Sequence, residues 1–360
     1  MKKLFSVLFV MLLLLTGCSS GGNTSDGSDE EVVLNLFIPG SYIDPEILDE
    51  FYDETGIKIN ENDFESNEWM LTQLESGKVY DIIIPSDYMI EYLIENKMVQ
   101  KLDKSLISNI DQLYDGVKNP EFDPNNDYSI PYFWGNVGIC FNIEKIDRAD
   151  VEKEGWDFFH DTKYKGLMYF YDSERDEFMI AQKALGYSMN TKDENELTAC
   201  ADWLRQITDT MDPFIVTDEA IDGLAYPEDN DHKYFGMMYS GDAAYILSEN
   251  ENAGYIAPES GTNYFIDAMC VDARSKHLKE ACEFINFMIS YDAQYQNSSY
   301  VGYSSVNAQA FEDLAKDEFE GNEAYVPRAK NANDESFHFQ DSAHRTFLSE
   351  SWIHIKDKNK

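Results

Sequence analysis

Two short stretches set an aromatic ring beside a carboxylate: Tyr239-Ser240-Gly241-Asp242 and Phe265-Ile266-Asp267. A ring face attracts an ammonium group and wraps methylenes, and a carboxylate two or three residues on neutralises the charge once water is stripped away. The chemistry on offer is capture of an organic cation, although each stretch alone also fits an ordinary core strand. Patterns that would carry catalysis are missing. Gly302-Tyr303-Ser304-Ser305-Val306 lacks the last glycine of a nucleophile elbow, and there is no phosphate loop, no G-x-G-x-x-G and no H-E-x-x-H. A hydrolase using two carboxylates stays open, because a suitable separation in space leaves no mark in sequence. Asp172, Glu174 and Asp176 are such acids, and a solvated loop accounts for them equally well.

Metal and redox chemistry find no ligand set. The six histidines are scattered, and His338 and His344 fall on different faces of any helix that carries them. No C-x-x-C pair occurs among five cysteines, too few for a disulfide scaffold. Cys140, Cys200, Cys270 and Cys282 lie in apolar or helical surroundings and are expected to be buried thiols.

The elements that position the rings and acids are legible in the first hundred residues. Apolar segments begin at Leu34, Ile57 and Tyr80, each 23 residues after the last. Between them, Asp44 to Thr55 has a capping Asp44, Pro45 at the first helical position, Ile47, Leu48, Phe51 and Tyr52 on one face, and Gly56 as a stop. Ser66 to Ser76 turns Met70, Leu71 and Leu74 inward and ends at Gly77. Strand, helix, strand, helix, strand at this spacing predicts a parallel sheet with right-handed crossovers. Ligands of such sheets lie at the carboxyl ends of the strands, which directs attention to the loops Pro39 to Tyr42 and Pro85 to Tyr88. Further on, Phe122 to Gly135 is rich in turn formers and then aromatic. Strands are expected at Val137 to Asn142, Tyr234 to Gly241 and Asn263 to Val271, and helices at Phe178 to Leu185, Glu194 to Ile207 and Lys279 to Met288. A second α/β unit inserted into the first fits this order.

With 360 residues the chain is long enough for two domains, and its formal charge of −40 argues against an unaided nucleic-acid binder. At 43% hydrophobic and 14% aromatic, it is too rich in core formers to be a disordered acidic polymer. Lys2 and Lys3 precede an apolar run from Leu4 to Leu15 and then Thr16-Gly17-Cys18, the layout of a secretory signal and too short to span a bilayer. The Leu-Thr-Gly-Cys ending resembles the lipobox of bacterial lipoproteins, which implies lipidation of Cys18. Ser19 to Glu31 contains nothing to anchor it to a core and is expected to be a flexible tether.

Several motifs occur together and in order: Glu54-Thr55-Gly56-Ile57-Lys58, Glu65-Ser66-Asn67-Glu68, Tyr80-Asp81-Ile82-Ile83-Ile84-Pro85-Ser86, Lys101-Leu102-Asp103-Lys104-Ser105 and Phe122 to Gly135. In these the chain resembles the spermidine/putrescine-binding lipoproteins of bacterial ABC importers, an extracellular solute-binding family. The resemblance runs from about Leu34 to Gln340 and is densest before Gly138. It implies an α/β, two-lobed periplasmic-binding-protein-like fold of type 2, with two crossovers between lobes and a polyamine held in the cleft.

Carried over by position, the family's cleft residues fall on Tyr42, Ser86, Tyr88, Asp176, Tyr239, Phe265, Asp267, Tyr303 and Gln340. Asp242 resembles an acid of putrescine-preferring members. The sequence also departs from the family: Pro39, Tyr239 and Phe265 stand where it has tryptophans, and Ser173 where spermidine binders have an acid. The expected layout is a signal peptide at 1–17, a tether at 18–31, one lobe from 32–137 plus 269–320, and a second from 138–268 plus 321–360. The expected protein is an exported monomer, lipid-anchored to the outer face of the cytoplasmic membrane, or periplasmic if the cell has an outer membrane. It is expected to use no cofactor or metal, bind no nucleic acid, and deliver a polyamine to the transmembrane subunits of an ABC permease. The same fold with another cation or a sugar, a carboxylate hydrolase and a purely adhesive lipoprotein are the alternatives.

Overall fold

The computed structural model describes residues 32–217, 219–227 and 233–357. The signal segment, the tether and Cys18 lie outside them. The chain opens as predicted, with β1 (Val33–Pro39), α1 (Pro45–Thr55), β2 (Lys58–Phe64), α2 (Asn67–Glu75), β3 (Ile82–Ile83) and α3 (Asp87–Glu95). Asp44 caps α1 by accepting the Glu46 N–H, and Gly56 ends it at φ 72°, a backbone geometry that favours glycine. Ser66 caps α2 by accepting the Trp69 N–H. Ile47 and Phe51 are buried as expected of the inner face of α1, whereas Tyr52 is 43% exposed. Strands β2 and β3 both run parallel to β1.

The middle of the chain is organised by one long strand, β4 (Ser129–Asn142). Its first half, Ser129 to Asn136, pairs antiparallel with β9 (Tyr264–Val271), and its second half, from Val137, pairs with β7 (Phe235–Tyr239) and β8 (Ala253–Ile256). Sequence reasoning found only the second half. Residues Ser129 to Phe141 are all buried, so no alternation marks them, and Pro131 sits in a register shift between Pro131 and Phe133. Around β7 the chain adds α4 (Arg148–Glu154), β5 (Tyr169–Tyr171), α5 (Glu174–Ala184), α6 (Glu194–Met211), β6 (Phe214–Val216), α7 (Glu219–Ala225) and α8 (Ser240–Glu249). Ser240-Gly241 therefore starts a helix, where a continuation of the strand was expected. Asp176 lies in the first turn of α5, and not in a solvated loop.

After β9, whose other neighbour is β3, come α9 (Leu278–Met288), α10 (Tyr291–Val301), β10 (Ser304–Ser305) and α11 (Ala308–Lys316). The sheet reads β10-β4-β9-β3-β1-β2, and α12 (Ser342–Lys356) ends the described chain against α5 and α6. The chain thus passes between two α/β units through β4 and back through β9, the double crossing of the expected fold. Apolar residues fill both sheet faces: Leu36 and Ile38 belong to one buried cluster, while Phe37 between them belongs to the other. The four cysteines from Cys140 onward are buried free thiols.

Candidate functional site

The parallel strands each deliver polar residues from their carboxyl ends. Tyr42 follows β1, Asn67 and Glu68 follow β2, and Ser86, Asp87 and Tyr88 follow β3. Asn67 fixes Ser86 at both ends, its Nδ2 donating to Ser86 Oγ and its Oδ1 accepting the Ser86 N–H, each at 3.1 Å. Ser86 in turn bridges to Asp267 on β9, which brings the crossing strand against these loops.

Four tyrosine–carboxylate pairs meet around this point. Tyr42 Oη donates to Asp267 Oδ2 at 2.6 Å, Tyr88 Oη to Glu68 Oε1 at 3.0 Å, and Tyr239 Oη to Asp176 Oδ1 at 2.9 Å. Tyr303 Oη donates to Asp242 Oδ1 at a longer 3.4 Å. Rings join three of the pairs, those of Tyr42, Tyr239 and Tyr303, into one continuous wall, and the Arg175 guanidinium over the Tyr88 ring lies beside the fourth. Tyr239 lies edge-on to Phe265 at 5.6 Å between centroids, Phe265 to Tyr303 at 6.0 Å, and Tyr303 to Tyr42 at 5.2 Å, with Phe133 closing on Tyr42 at 5.3 Å. Edge-to-face packing of this kind fixes ring positions beyond what burial alone supplies.

Burial sets the electrostatics. Asp267 is 8% exposed, and loss of water pushes its carboxyl up to about 6, against the pull of the Tyr42 and Ser86 hydroxyls and the Arg175 charge. Its Oδ1 is buried with no hydrogen-bond partner. Burial and the neighbouring acids raise the tyrosine hydroxyls of Tyr42, Tyr239 and Tyr303, so they remain protonated donors. Ser173 Oγ donates to Asp176 Oδ2 at 2.6 Å, so this hydroxyl supports the acid in the first turn of α5.

Arg175 is the cation placed among these acids. Its guanidinium lies over the Tyr88 ring at 4.4 Å and the Phe337 ring at 5.4 Å, and Nη1 is 3.5 Å from Glu68 Oε1. The wall therefore presents more negative than positive groups, with aromatic faces between them, and can neutralise a slender ligand carrying separated ammonium groups.

Nine of the ten carried-over residues, Tyr42, Ser86, Tyr88, Asp176, Tyr239, Asp242, Phe265, Asp267 and Tyr303, fall in this cluster. Gln340 lies apart. It lines a surface depression with Asn190, Lys192, His338, Phe339 and His344, and no hydrogen bond described for it reaches the cluster. Glu68, Asp87, Phe133 and Arg175 belong to the cluster without having been assigned to it from sequence. The first two sit just past strand ends, a signal that was available for each. Among the described residues no group of three or more His, Cys, Asp or Glu is arranged to hold a metal ion.

Residues 46–326 match the family model for bacterial extracellular solute-binding proteins. The chain belongs to that family. This solute-binding protein is 31% identical, over 83% of its length and 84% of the relative's, to the spermidine/putrescine-binding periplasmic protein of Escherichia coli K12. It is 28% identical, over the same shares, to the putrescine-binding periplasmic protein SpuD of Pseudomonas aeruginosa UCBPP-PA14. Among solved structures it is similar to the spermidine/putrescine ABC transporter substrate-binding protein PotD of Streptococcus pneumoniae, with a TM-score of 0.77 and 33% identity over 90% of this chain and 98% of that one. Family membership makes it an extracellular binding protein and not an enzyme, which removes the carboxylate-hydrolase alternative. Among the described residues no helix is long and apolar enough to cross a membrane.

Proposed function

We propose that this solute-binding protein captures a linear polyamine, putrescine or spermidine, in the cleft walled by the four tyrosine–carboxylate pairs and hands it to the transmembrane subunits of an ABC permease. Asp267 holds one ammonium group, and the acids at 176, 242 and 68 serve the remainder of the ligand. Tyr42, Phe133, Tyr239, Phe265 and Tyr303 wrap the methylenes between the charges. A lipid on Cys18 keeps the protein at the outer face of the membrane.

The observation that carries this reading is Asp267: a buried carboxyl with a tyrosine donor on one oxygen and nothing on the other, set against aromatic faces. A charge so placed is costly unless a cation joins it. The relatives named for spermidine and putrescine supply the ligand class. A ligand with an α-carboxylate, such as arginine or lysine, needs an arginine ready to receive it, and Arg175 is already engaged by Glu68 and two rings.

Isothermal titration with putrescine and spermidine tests the assignment. Asp267→Asn keeps the shape but removes the charge, and affinity is expected to fall by about 2–5 kcal/mol, roughly 30- to 5000-fold. Undiminished binding of both ligands by the variant would remove Asp267 from the site. A thermal-shift panel with putrescine, cadaverine, spermidine, spermine, arginine and lysine separates ligand classes, because a bound ligand stabilises the folded state by mass action.

A further inference from the structure

Asp87 opens α3 and has no part in the reading above. It is 2% exposed. Its Oδ1 accepts the Tyr88 N–H at 2.7 Å, and its Oδ2 is buried without a hydrogen-bond partner. The preceding residue, Ser86, is the one that bridges to Asp267, whose own Oδ1 is buried and unpartnered. One buried carboxyl thus belongs to this backbone bridge and a second is carried by the residue next to it in the chain, each with a buried oxygen that has no hydrogen-bond partner. Both cannot ionise cheaply without a cation beside them.

We propose that Asp87 is a second acid of the cation site, which holds a proton while the cleft is empty and releases it to solvent when a diammonium ligand is captured beside Asp267. Capture is then coupled to proton release: the neutral carboxyl and the ligand dication become a carboxylate–dication pair and a free proton. This inference rests on the polyamine reading.

The surroundings of Asp87 are consistent with that role. Burial, aided by the Asp267 charge from β9, raises its carboxyl to about 8 against the pull of the Tyr88 and Ile266 N–H groups and of Arg175 from α5. Glu68 on α2 is turned to Tyr88 and Arg175. On α3 itself, Glu91 faces His338 and the Phe339 N–H. Asp87 and Asp267 form a coupled pair, so the proton count belongs to both, with Asp87 the larger holder at neutral pH.

Calorimetric titration with putrescine at pH 7, in phosphate and in Tris, reads the protons released from the difference in buffer ionisation heat. The wild type is expected to release about one proton per putrescine, and Asp87→Asn at least about threefold fewer. Equal release by both proteins overturns the inference. Absence of wild-type binding to putrescine and spermidine would defeat the polyamine reading instead, and the proton is then sought in the unliganded protein. Its thermal stability should decline from pH 4 to 8 relative to Asp87→Asn, because the group's folded pKa lies above its unfolded one and the stabilisation present at low pH is lost as pH rises. Parallel curves would show that Asp87 carries no such proton. Asp87→Ser serves as the second variant in both measurements.

Discussion

The Tyr42 hydroxyl donates to Asp267 at 2.6 Å, and its removal isolates a contribution that Asp267→Asn cannot. In Tyr42→Phe the ring remains and the carboxyl loses a donor, so its pKa, already raised from 3.8 to about 6, rises further. A hydrogen bond to a charged group is worth about 1.5–3 kcal/mol, so putrescine affinity at pH 6 should drop roughly 10- to 150-fold. The loss should shrink at pH 8, where the carboxyl is again ionised. In the unliganded protein the sign is opposite to that of an ordinary salt-bridged acid. Stability from this group is full below about pH 4 and disappears as pH rises through about 6, and the variant should carry that decline to higher pH, as read by thermal unfolding across pH 4–8. An unchanged affinity ratio between pH 6 and pH 8 would separate the hydroxyl from the acid. Asp267 was legible in sequence because it follows an aromatic residue by two, the spacing that puts both on one face of a strand. Glu68 and Asp87 also sit just past strand ends, but among 68 acids that position alone did not single them out.

At the scale of elements, the helices of the first unit were readable because their ends carry their own chemistry: a capping aspartate with a following proline, a serine cap, a glycine stop. Strand β4 lacked any such mark in its first half, and the join between β7 and α8 was missed because Ser240-Gly241 continues an apolar run. Gly241 shows what that join requires. A Cβ there would stand 1.9 Å from Tyr303 Cδ2, so the start of α8 packs directly on a ring of the site wall. Gly241→Ala must displace the ring or the helix. The expected cost is about 1–3 kcal/mol of stability, with weaker putrescine binding as Tyr303 leaves Asp242 and Phe265. Gly40 lies in the loop after β1 with nothing within 4 Å of its would-be Cβ, and Gly40→Ala should leave both properties unchanged. Denaturant unfolding and titration of the two variants side by side check the contrast, and equal behaviour would show that α8 and Tyr303 are not rigidly coupled.

At the scale of the molecule, β4 and β9 cross between the two α/β units, and Arg175 adds a tie of a different kind. It projects from α5, in the unit built around β7, onto Glu68 and Tyr88, which hang from the sheet of β1 to β3. No sequence pattern announced this contact, since it joins residues far apart in the chain and exists only once both units are in place. The ion pair is half-exposed and worth about 0–1 kcal/mol, and the ring contacts add about 0.5–2 kcal/mol. Together they shift a balance between open and shut forms by roughly one power of ten. Arg175→Gln removes the tie and also leaves Glu68, Asp176 and Asp267 without their internal cation, so mutual repulsion favours the open form. The unliganded variant should therefore be larger than wild type in small-angle X-ray scattering and should contract more on addition of putrescine. Its affinity should weaken about tenfold, because the ligand must then supply the closing free energy that Arg175 otherwise contributes. If the variant and wild type have the same unliganded radius and the same contraction, Arg175 acts only as a local counter-charge and closure is governed by the crossing strands and the ligand alone.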